Sequence, residues 1–421
     1  MKPSFQSLIF GTSLGATLLA MCPLAHGLGV RLPDQDAFAT GRGEAFVATA
    51  DNPSAIYYNP AGITQLEGQN VRGGFYSIAT YDHEYSPAGA AHTVDSIQAV
   101  PQFFYTAKIN DSPISLGMGV YSPYGLSQQW PKNTSFDTLG TKGSIQYICF
   151  NPVVAWQVAS NFSIAAGPTI NWAQTDLRLS VVPSALLPGT ELRFKGSDNT
   201  LGMNLGFLFQ LAPKISIGVS YRSQTVMGFR GPASVNGAGG FAIPNNSIGT
   251  DAAFTFPQNI IGGISYRPTT NWNVEFDVDW TEWSRLKNVP LKSSPINAFG
   301  VVNVPINLPF NWQDSCFFEW GVTRYFDNGW HGSAGYIFSE NSVPDASFNP
   351  LIPDGDRHIW SLGVGRKGEH FSWDIAYQLA WGPPRTIDSG PGPTAPSTTQ
   401  NHNGTYEALS HAIIISVGYH F

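Results

Sequence analysis

Trp272-Asn-Val-Glu-Phe-Asp-Val-Asp-Trp280 carries five apolar side chains at its even positions and one amide and three carboxylates at its odd ones. In a strand successive side chains point to opposite faces, so this stretch has one wholly apolar face and one wholly polar face. The pattern recurs in Ile215-Ser-Ile-Gly-Val-Ser-Tyr-Arg222, Phe371-Ser-Trp-Asp-Ile-Ala-Tyr-Gln-Leu379 and Leu116-Gly-Met-Gly-Val120. At the end of the chain, Ile413, Ile415, Val417, Tyr419 and Phe421 oppose Ser416, Gly418 and His420. A soluble sandwich turns its apolar face inward onto a second sheet, whereas a membrane barrel turns it outward to lipid around a polar interior. Alternation alone is compatible with both.

Three further features favour the barrel. Strands are expected near 70–81, 98–109, 113–122, 143–158, 160–175, 198–211, 214–229, 252–267, 271–284, 313–326, 330–340, 357–367, 371–381 and 409–421, an even count of fourteen. The connections alternate: Asn110-Asp-Ser112, Ala212-Pro-Lys214, Pro268-Thr-Thr-Asn271, Asp327-Asn-Gly329 and Lys367-Gly-Glu-His370 are short turns. Between them lie long loops near 82–97, 123–142, 176–197, 230–251, 285–312, 341–356 and 382–408. That asymmetry is the one that periplasmic turns and extracellular loops produce, with both termini on the periplasmic side. Trp156, Trp172, Trp280, Trp320 and Trp373 fall near strand ends, as aromatic girdles at two membrane interfaces require.

Composition agrees. Only 12% of the 421 residues are charged while 13% are aromatic, too few charges for an ordinary cytosolic enzyme. Residues 1–27 are expected to be a signal peptide: Lys2, an apolar stretch from Leu8 to Leu24, then Ala25-His26-Gly27 with small residues where signal peptidase cuts. Cys22 follows Met21, where lipoprotein processing wants a small side chain, so Cys22 is expected to leave with the signal. No later run of about 18 apolar residues offers a transmembrane helix, so a membrane form must be a closed barrel. Cys149 and Cys316 fall in separate strands, and the spacing gives no redox or metal signal. The 22 basic residues less Lys2 leave 21 against 29 acidic ones, a net charge near −8, with no basic patch for nucleic acid.

Residues 28–69 do not alternate. They hold Gly41, Gly43 and Asp51-Asn-Pro-Ser-Ala-Ile-Tyr-Tyr-Asn-Pro-Ala-Gly62, and precede the first strand on the periplasmic side. The expected organisation is therefore a signal peptide (1–27), a hatch folded into the lumen (28–69) and a barrel (70–421).

Several motifs along this chain resemble the FadL-type family of outer-membrane transporters for long-chain fatty acids and aromatic hydrocarbons. They are Asn59-Pro-Ala61; Lys108-Ile-Asn-Asp111 with Gly119-Val-Tyr-Ser-Pro-Tyr-Gly-Leu126 and Trp130-Pro131; Ile217-Gly-Val-Ser-Tyr-Arg222; Trp280-Thr-Glu-Trp-Ser284; and Ser342-Val-Pro-Asp345 with Ile352-Pro-Asp-Gly-Asp-Arg357. The resemblance implies a fourteen-stranded monomer of the Gram-negative outer membrane, blocked by a hatch. It further implies ligand capture among the extracellular loops, a tighter site in the lumen, and sideways exit through a gap at a kinked third strand. Asn59, Pro60 and Ala61 would then gate the gap from the hatch. Phe421 resembles the terminal signal read by the barrel-assembly machinery, and outer-membrane lipid and lipopolysaccharide would surround the wall.

Other residues invite a role beside a bland reading. Tyr124, Leu126, Trp130 and Phe136 are apolar where a solvated loop does not need them, and either form a capture groove or pack on other loops. Phe241 in a Gly- and Ala-rich loop is a weaker candidate of the same kind. Asp354, Asp356 and Arg357 either offer Arg357 to a ligand carboxylate or pair among themselves, the commoner outcome. Arg222, Glu275, Asp277 and Asp279 face inward, where polar side chains hold hatch to wall; they become ligand contacts only if a fatty carboxylate reaches them, and Arg222 is then a ligand-binding candidate. The surplus of acids leaves neutral hydrocarbons open as ligands. No Gly-x-Ser-x-Gly, His-Glu-x-x-His or phosphate-binding loop occurs, so neither an enzyme nor a cofactor or metal site is expected. An aqueous porin or an outer-membrane lipid hydrolase are the competing readings.

Overall fold

The structure, a computed structural model, describes residues 29–87, 89–94, 97–110, 112–180, 184, 189–236, 246–293, 306–388 and 402–421. The expected signal peptide and Phe241 lie outside the described residues.

Twenty strands among these residues build one antiparallel sheet that closes on itself. The first staves are β1 (Gln69–Ser86), which carries a short hairpin partner β2 (Gly89–His92), and β3 (Ile97–Lys108). The third is split into β4 (Ile114–Tyr121) and β5 (Gly125–Gln129). Then follow β6 (Lys142–Ala159), β7 (Phe162–Ser180) and β8 (Glu191–Ala212). Two more split staves come next, β9 (Ile215–Arg222) with β10 (Thr225–Asn236) and β11 (Asn246–Phe256) with β12 (Asn259–Thr269). After β13 (Trp272–Thr281), a hairpin β14 (Asn288–Ser293) and β15 (Ile306–Pro309) rises above the wall. The last staves are β16 (Ser315–Tyr325), β17 (Trp330–Ser339), β18 (Arg357–Lys367), β19 (Phe371–Ile387) and β20 (Gly404–His420). Counting each split stave once, the wall has the fourteen members expected. β1 pairs with β20 from Asn70↔His420 to Tyr85↔Thr405, so no edge is left there.

Which way the apolar face points is settled by exposure. On β13, Asn273, Glu275, Asp277 and Asp279 are at most 1% exposed, while Trp272 and Val274 are 37% and 46% exposed. Leu201 and Leu362 show 72% and 64% of their surface on the outside. An apolar exterior of this extent is costly in water, at about 25 cal/mol per Å², and is relieved by lipid. A two-sheet sandwich would reverse the pattern.

Several strands run past their expected ends. β7 continues to Ser180, β8 begins at Glu191, β19 reaches Ile387 and β20 starts at Gly404. The cause is plain in β7 and β8, whose pairing extends from Phe162↔Phe209 to Ser180↔Glu191. There Asp176 accepts from Arg178 at 3.0 Å and Arg193 at 2.8 Å, a cluster that interrupts the apolar alternation without interrupting the backbone ladder. A membrane strand needs about 9–11 residues, so the remainder of the 22-residue β8 projects beyond the bilayer.

Residues 29–68 form two single-turn helices, Ala37–Thr40 and Ala55–Tyr58, and a 3-10 helix, Pro60–Gln65. Most of this segment is buried, and its partners are inward-facing side chains of several staves. Asp277 of β13 accepts the N–H groups of Phe46 at 2.8 Å and Val47 at 2.9 Å. Glu275 accepts those of Ala48 at 2.7 Å and Thr49 at 3.1 Å, and pairs with Arg42. Other bonds run to the staves around the closure. Arg72 of β1 bridges Asp36 and Asp374, and Ala37 N–H donates to Ser416 at 3.0 Å.

Candidate lumenal site

The third stave breaks at Ser122-Pro123-Tyr124. Pro123 has no N–H to give a neighbouring strand and restricts the residue before it, so a continuous ladder is disfavoured here. The orphaned backbone groups are taken up by the segment preceding the wall. Leu32 N–H donates to the Pro123 carbonyl and Gly125 N–H to that of Val30, both at 2.9 Å. The Gln35 side chain bonds to both backbone groups of Ser122.

The break has a consequence for the wall. β3 pairs with β4 only from Phe103 to Lys108, and β5 pairs with β6. Among the described residues, the strand ladder of Ala99–Gln102 runs only to β1, and just before β3 Val94 N–H donates to the Gln129 carbonyl of β5 at 2.8 Å. Against this edge lies a cavity of about 750 Å³, lined on the inside by Tyr121, Leu126, Ile145 and Ile359. Its lining also includes Ala99 and Ile148, whose side chains are on the exposed outer face. A second, narrow space of about 80 Å³ lies among the upper strands and the β14–β15 hairpin, and is lined by Phe194, Phe229, Phe254, Leu291, Leu308 and Phe310. It shares Leu126, Ile145, Leu351 and Ile352 with the larger cavity, so the two are contiguous.

The sequence candidates divide between these spaces and the packing around them. Tyr124 and Leu126 line the cavity. Tyr124 is fixed by a 2.9 Å bond to the Pro257 carbonyl and by rings of Tyr147 and Phe256. Trp130 and Phe136 line neither space: Trp130 donates to the Pro350 carbonyl at 2.7 Å and meets Phe136 edge-on at 5.2 Å, so both take the loop-packing reading. Asp354 accepts from Gly29 N–H at 3.1 Å and from Ser342, and burial pushes its carboxyl above the ordinary range. Asp356 accepts from Asn341 N–H at 2.9 Å. Arg357 lines the cavity and its pairing with Asp354 is long, at 3.9 Å.

Asn59 is fully buried. Its amide donates to the carbonyls of Val47 at 2.7 Å and Phe207 at 3.0 Å, and its oxygen accepts from Ala61 N–H at 3.2 Å, which caps the 3-10 helix that Pro60 begins. The strand it bonds to is β8, and the helix that follows packs on β4 as well. A Cβ on Gly206 would stand 2.5 Å from the Asn59 oxygen, so only glycine admits this approach. The third stave is touched by Ile56, which lies 2.9 Å from where a Cβ on Gly119 would stand.

Four arginines are less than a tenth exposed among the described residues: Arg31, Arg42, Arg72 and Arg222. The first three each meet a carboxylate, Asp279 at 2.6 Å in the case of Arg31. Arg222 meets none among the described residues. It donates to the Tyr57 carbonyl at 3.1 Å and lies over the rings of Tyr57 and Tyr121, at 4.4 and 5.7 Å.

Residues 16–421 match the family described as outer membrane protein transport protein (OMPP1/FadL/TodX). The chain belongs to this family. A long-chain fatty acid transport protein of Escherichia coli O6:H1 is 22% identical over 403 residues, covering 86% of this chain and 88% of the relative. Among solved structures, a Pseudomonas aeruginosa FadL homologue superposes with a TM-score of 0.81 at 18% identity, over 94% of this chain and all of that one. The Pseudomonas putida toluene transporter TodX gives 0.72 at 15% identity, over 95% and 100%. The protein is thus a FadL/TodX-family outer-membrane channel for hydrophobic small molecules, with the barrel of a Gram-negative outer membrane. Sequence reading missed Phe194, Phe229 and Phe254. The signal was present: Phe229 and Phe254 stand at the loop-facing ends of the expected strands 214–229 and 252–267, and Phe194 lies in the expected loop 176–197.

Proposed function

We propose that this family member is a passive conduit for long-chain fatty acids. Ligand enters the narrow apolar space among the loops, moves into the lumenal cavity, and leaves sideways between β3 and β5 into the outer membrane. Residues 28–69 act as a hatch that denies a straight path to the periplasm, with Asn59, Pro60 and Ala61 setting its resting position. One observation carries this reading: the cavity is bounded both by inward side chains and by the outer-face residues Ala99 and Ile148, beside a stretch of β3 whose ladder, among the described residues, runs only to β1. Physics favours such a route, since each methylene exposed to water costs about 0.8 kcal/mol. An aqueous porin gains nothing from an apolar path that ends in the wall.

The fatty-acid names of sequence relatives favour an acid, and the toluene transporters among the structural neighbours keep monoaromatic hydrocarbons as the alternative. The test is purification in detergent, identification of co-purifying lipids by native mass spectrometry, and titration of oleate against toluene by tryptophan fluorescence. Saturable oleate binding supports the fatty-acid reading. Toluene binding alone makes the protein a hydrocarbon channel, and binding of neither overturns the proposal.

A further inference from the structure

Arg222, among the described residues the one buried arginine that meets no carboxylate, has a mechanical position as well as a chemical one. Arg222 ends β9 at the split in its stave and reaches between the third stave and the preceding segment. Its neighbours are Tyr121, the last residue of β4 and part of the cavity lining, and Tyr57, two residues before Asn59. Burying an unpaired cation is unfavourable, and the other three buried arginines escape that cost through carboxylates. Arg222 instead has two tyrosine rings, one bond to a backbone carbonyl, a 3.5 Å contact to the Tyr121 hydroxyl, and a buried Nε with no acceptor. A guanidinium presents a planar fork suited to a carboxylate, and the tyrosines leave that fork incompletely used.

We infer that Arg222 is the sensor for the carboxylate of an anionic ligand, and that it passes the binding event to the hatch through Tyr57. A headgroup descending from the cavity past Tyr121 offers Arg222 two charged acceptors. These replace its bond to the Tyr57 carbonyl, so the turn Ala55–Tyr58 loses a tether next to Asn59. A neutral hydrocarbon occupies the cavity without making this exchange. The inference rests on the proposed fatty-acid reading and deepens it: acids open the hatch contact and neutral ligands do not.

Hydrogen exchange on wild-type protein in detergent, with oleate, methyl oleate or toluene, tests it without a variant. Oleate is expected to raise exchange in residues 55–61, while methyl oleate and toluene leave it unchanged. Equal responses to the acid and its ester would overturn the sensor role even though transport of hydrophobic ligands stood. Binding of no ligand at all would instead sink the transport reading itself. In parallel, R222Q should weaken oleate binding tenfold or more with toluene or methyl oleate affinity retained, and R222K should recover part of it. A folded R222Q protein, judged by its heat-modifiable gel mobility, that binds oleate like wild type refutes the proposal.

Discussion

Replacing Asn59 with alanine should unfasten part of residues 28–69, the proposed hatch, while leaving the barrel intact. The side chain makes three bonds, buried ones to the Val47 carbonyl and from the N–H of Ala61 and a part-buried one to the Phe207 carbonyl. A buried group left without a partner costs about 1–3 kcal/mol, and loss of an asparagine cap alone costs about 0.5–2 kcal/mol. Some of these atoms regain a partner by small shifts or from water, so a net loss of roughly 3 kcal/mol is reasonable, which makes local opening about 100-fold more frequent. The wall ladder does not pass through Asn59, so strand pairing should survive. Hydrogen exchange is the direct assay: amides in residues 47–66 should exchange about 100-fold faster in N59A, with those of β16–β20 unchanged, and oleate uptake by cells should change in the same variant. A folded N59A protein with wild-type exchange in residues 47–66 would refute the reasoning.

Other consequences can be read in the same way. Ala99→Trp places a large ring at the edge of β3, and should lower oleate uptake severalfold while equilibrium binding in detergent stays near wild type; loss of both together would mean the edge is not an exit. Phe254→Asp puts a charge among the phenylalanines of the narrow upper space, and uptake at low oleate concentration should fall more than uptake at saturation. Asp277→Ala leaves the buried N–H groups of Phe46 and Val47 without an acceptor, at about 1–3 kcal/mol each, which proteolysis within residues 44–50 should report. Asp354 supplies a pH dependence. Burial raises its carboxyl above the ordinary value of 3.8, so the folded loop binds a proton more readily than the unfolded chain. Its contribution is complete below the ordinary value and is lost as pH rises through the raised one, so protection of residues 341–356 should increase on acidification. D354N should flatten that response.

The fold was legible because the alternation of a stave such as β13, compatible on its own with a sandwich, came together with an even strand count, alternating short and long connections and aromatic strand ends. Strand ends were less so, since Asp176, Arg178 and Arg193 satisfy one another above the bilayer and extend β7 and β8 beyond the apolar signal. Tyr124, Leu126 and Arg357, singled out by residue type and place in the chain, line the cavity. Trp130 and Phe136 carried the same signal and lie against Pro350 and each other, because what covers a loop aromatic depends on other loops far away in sequence. The isolation of Arg222 was illegible for a similar reason, being defined by the absence of carboxylates on staves that only closure brings near. The kinked third strand was expected from the resemblance alone, and nothing in the sequence showed that Val30–Leu32 would meet the break.

The polar and apolar contacts of the lumen are partly segregated, and under the proposed hatch reading this bears on how residues 28–69 stay in place while ligand passes. Glu275, Asp277 and Asp279, alternating on β13, hold the preceding segment by charge-assisted bonds to Arg31, Arg42 and four backbone N–H groups. Bonds of that kind contribute about 1.5–3 kcal/mol each, so the set is not released by a ligand that touches none of them. Much of the apolar lining lies elsewhere, on β3, β4, β5 and β6, where Val100, Tyr121, Leu126 and Ile145 bound the cavity, although Arg31 of the tether lines it too. On the proposed route, a hydrophobic molecule moving along that side passes Arg31 but none of Glu275, Asp277 and Asp279, and needs only the edge of β3 and local movement of Ile56 and Asn59. Loosening the tether at Asp277 should therefore disturb residues 44–50 more than it disturbs oleate uptake, whereas Ala99→Trp should do the reverse. A straight path through the lumen would require the opposite ranking, because the tether would then lie across it.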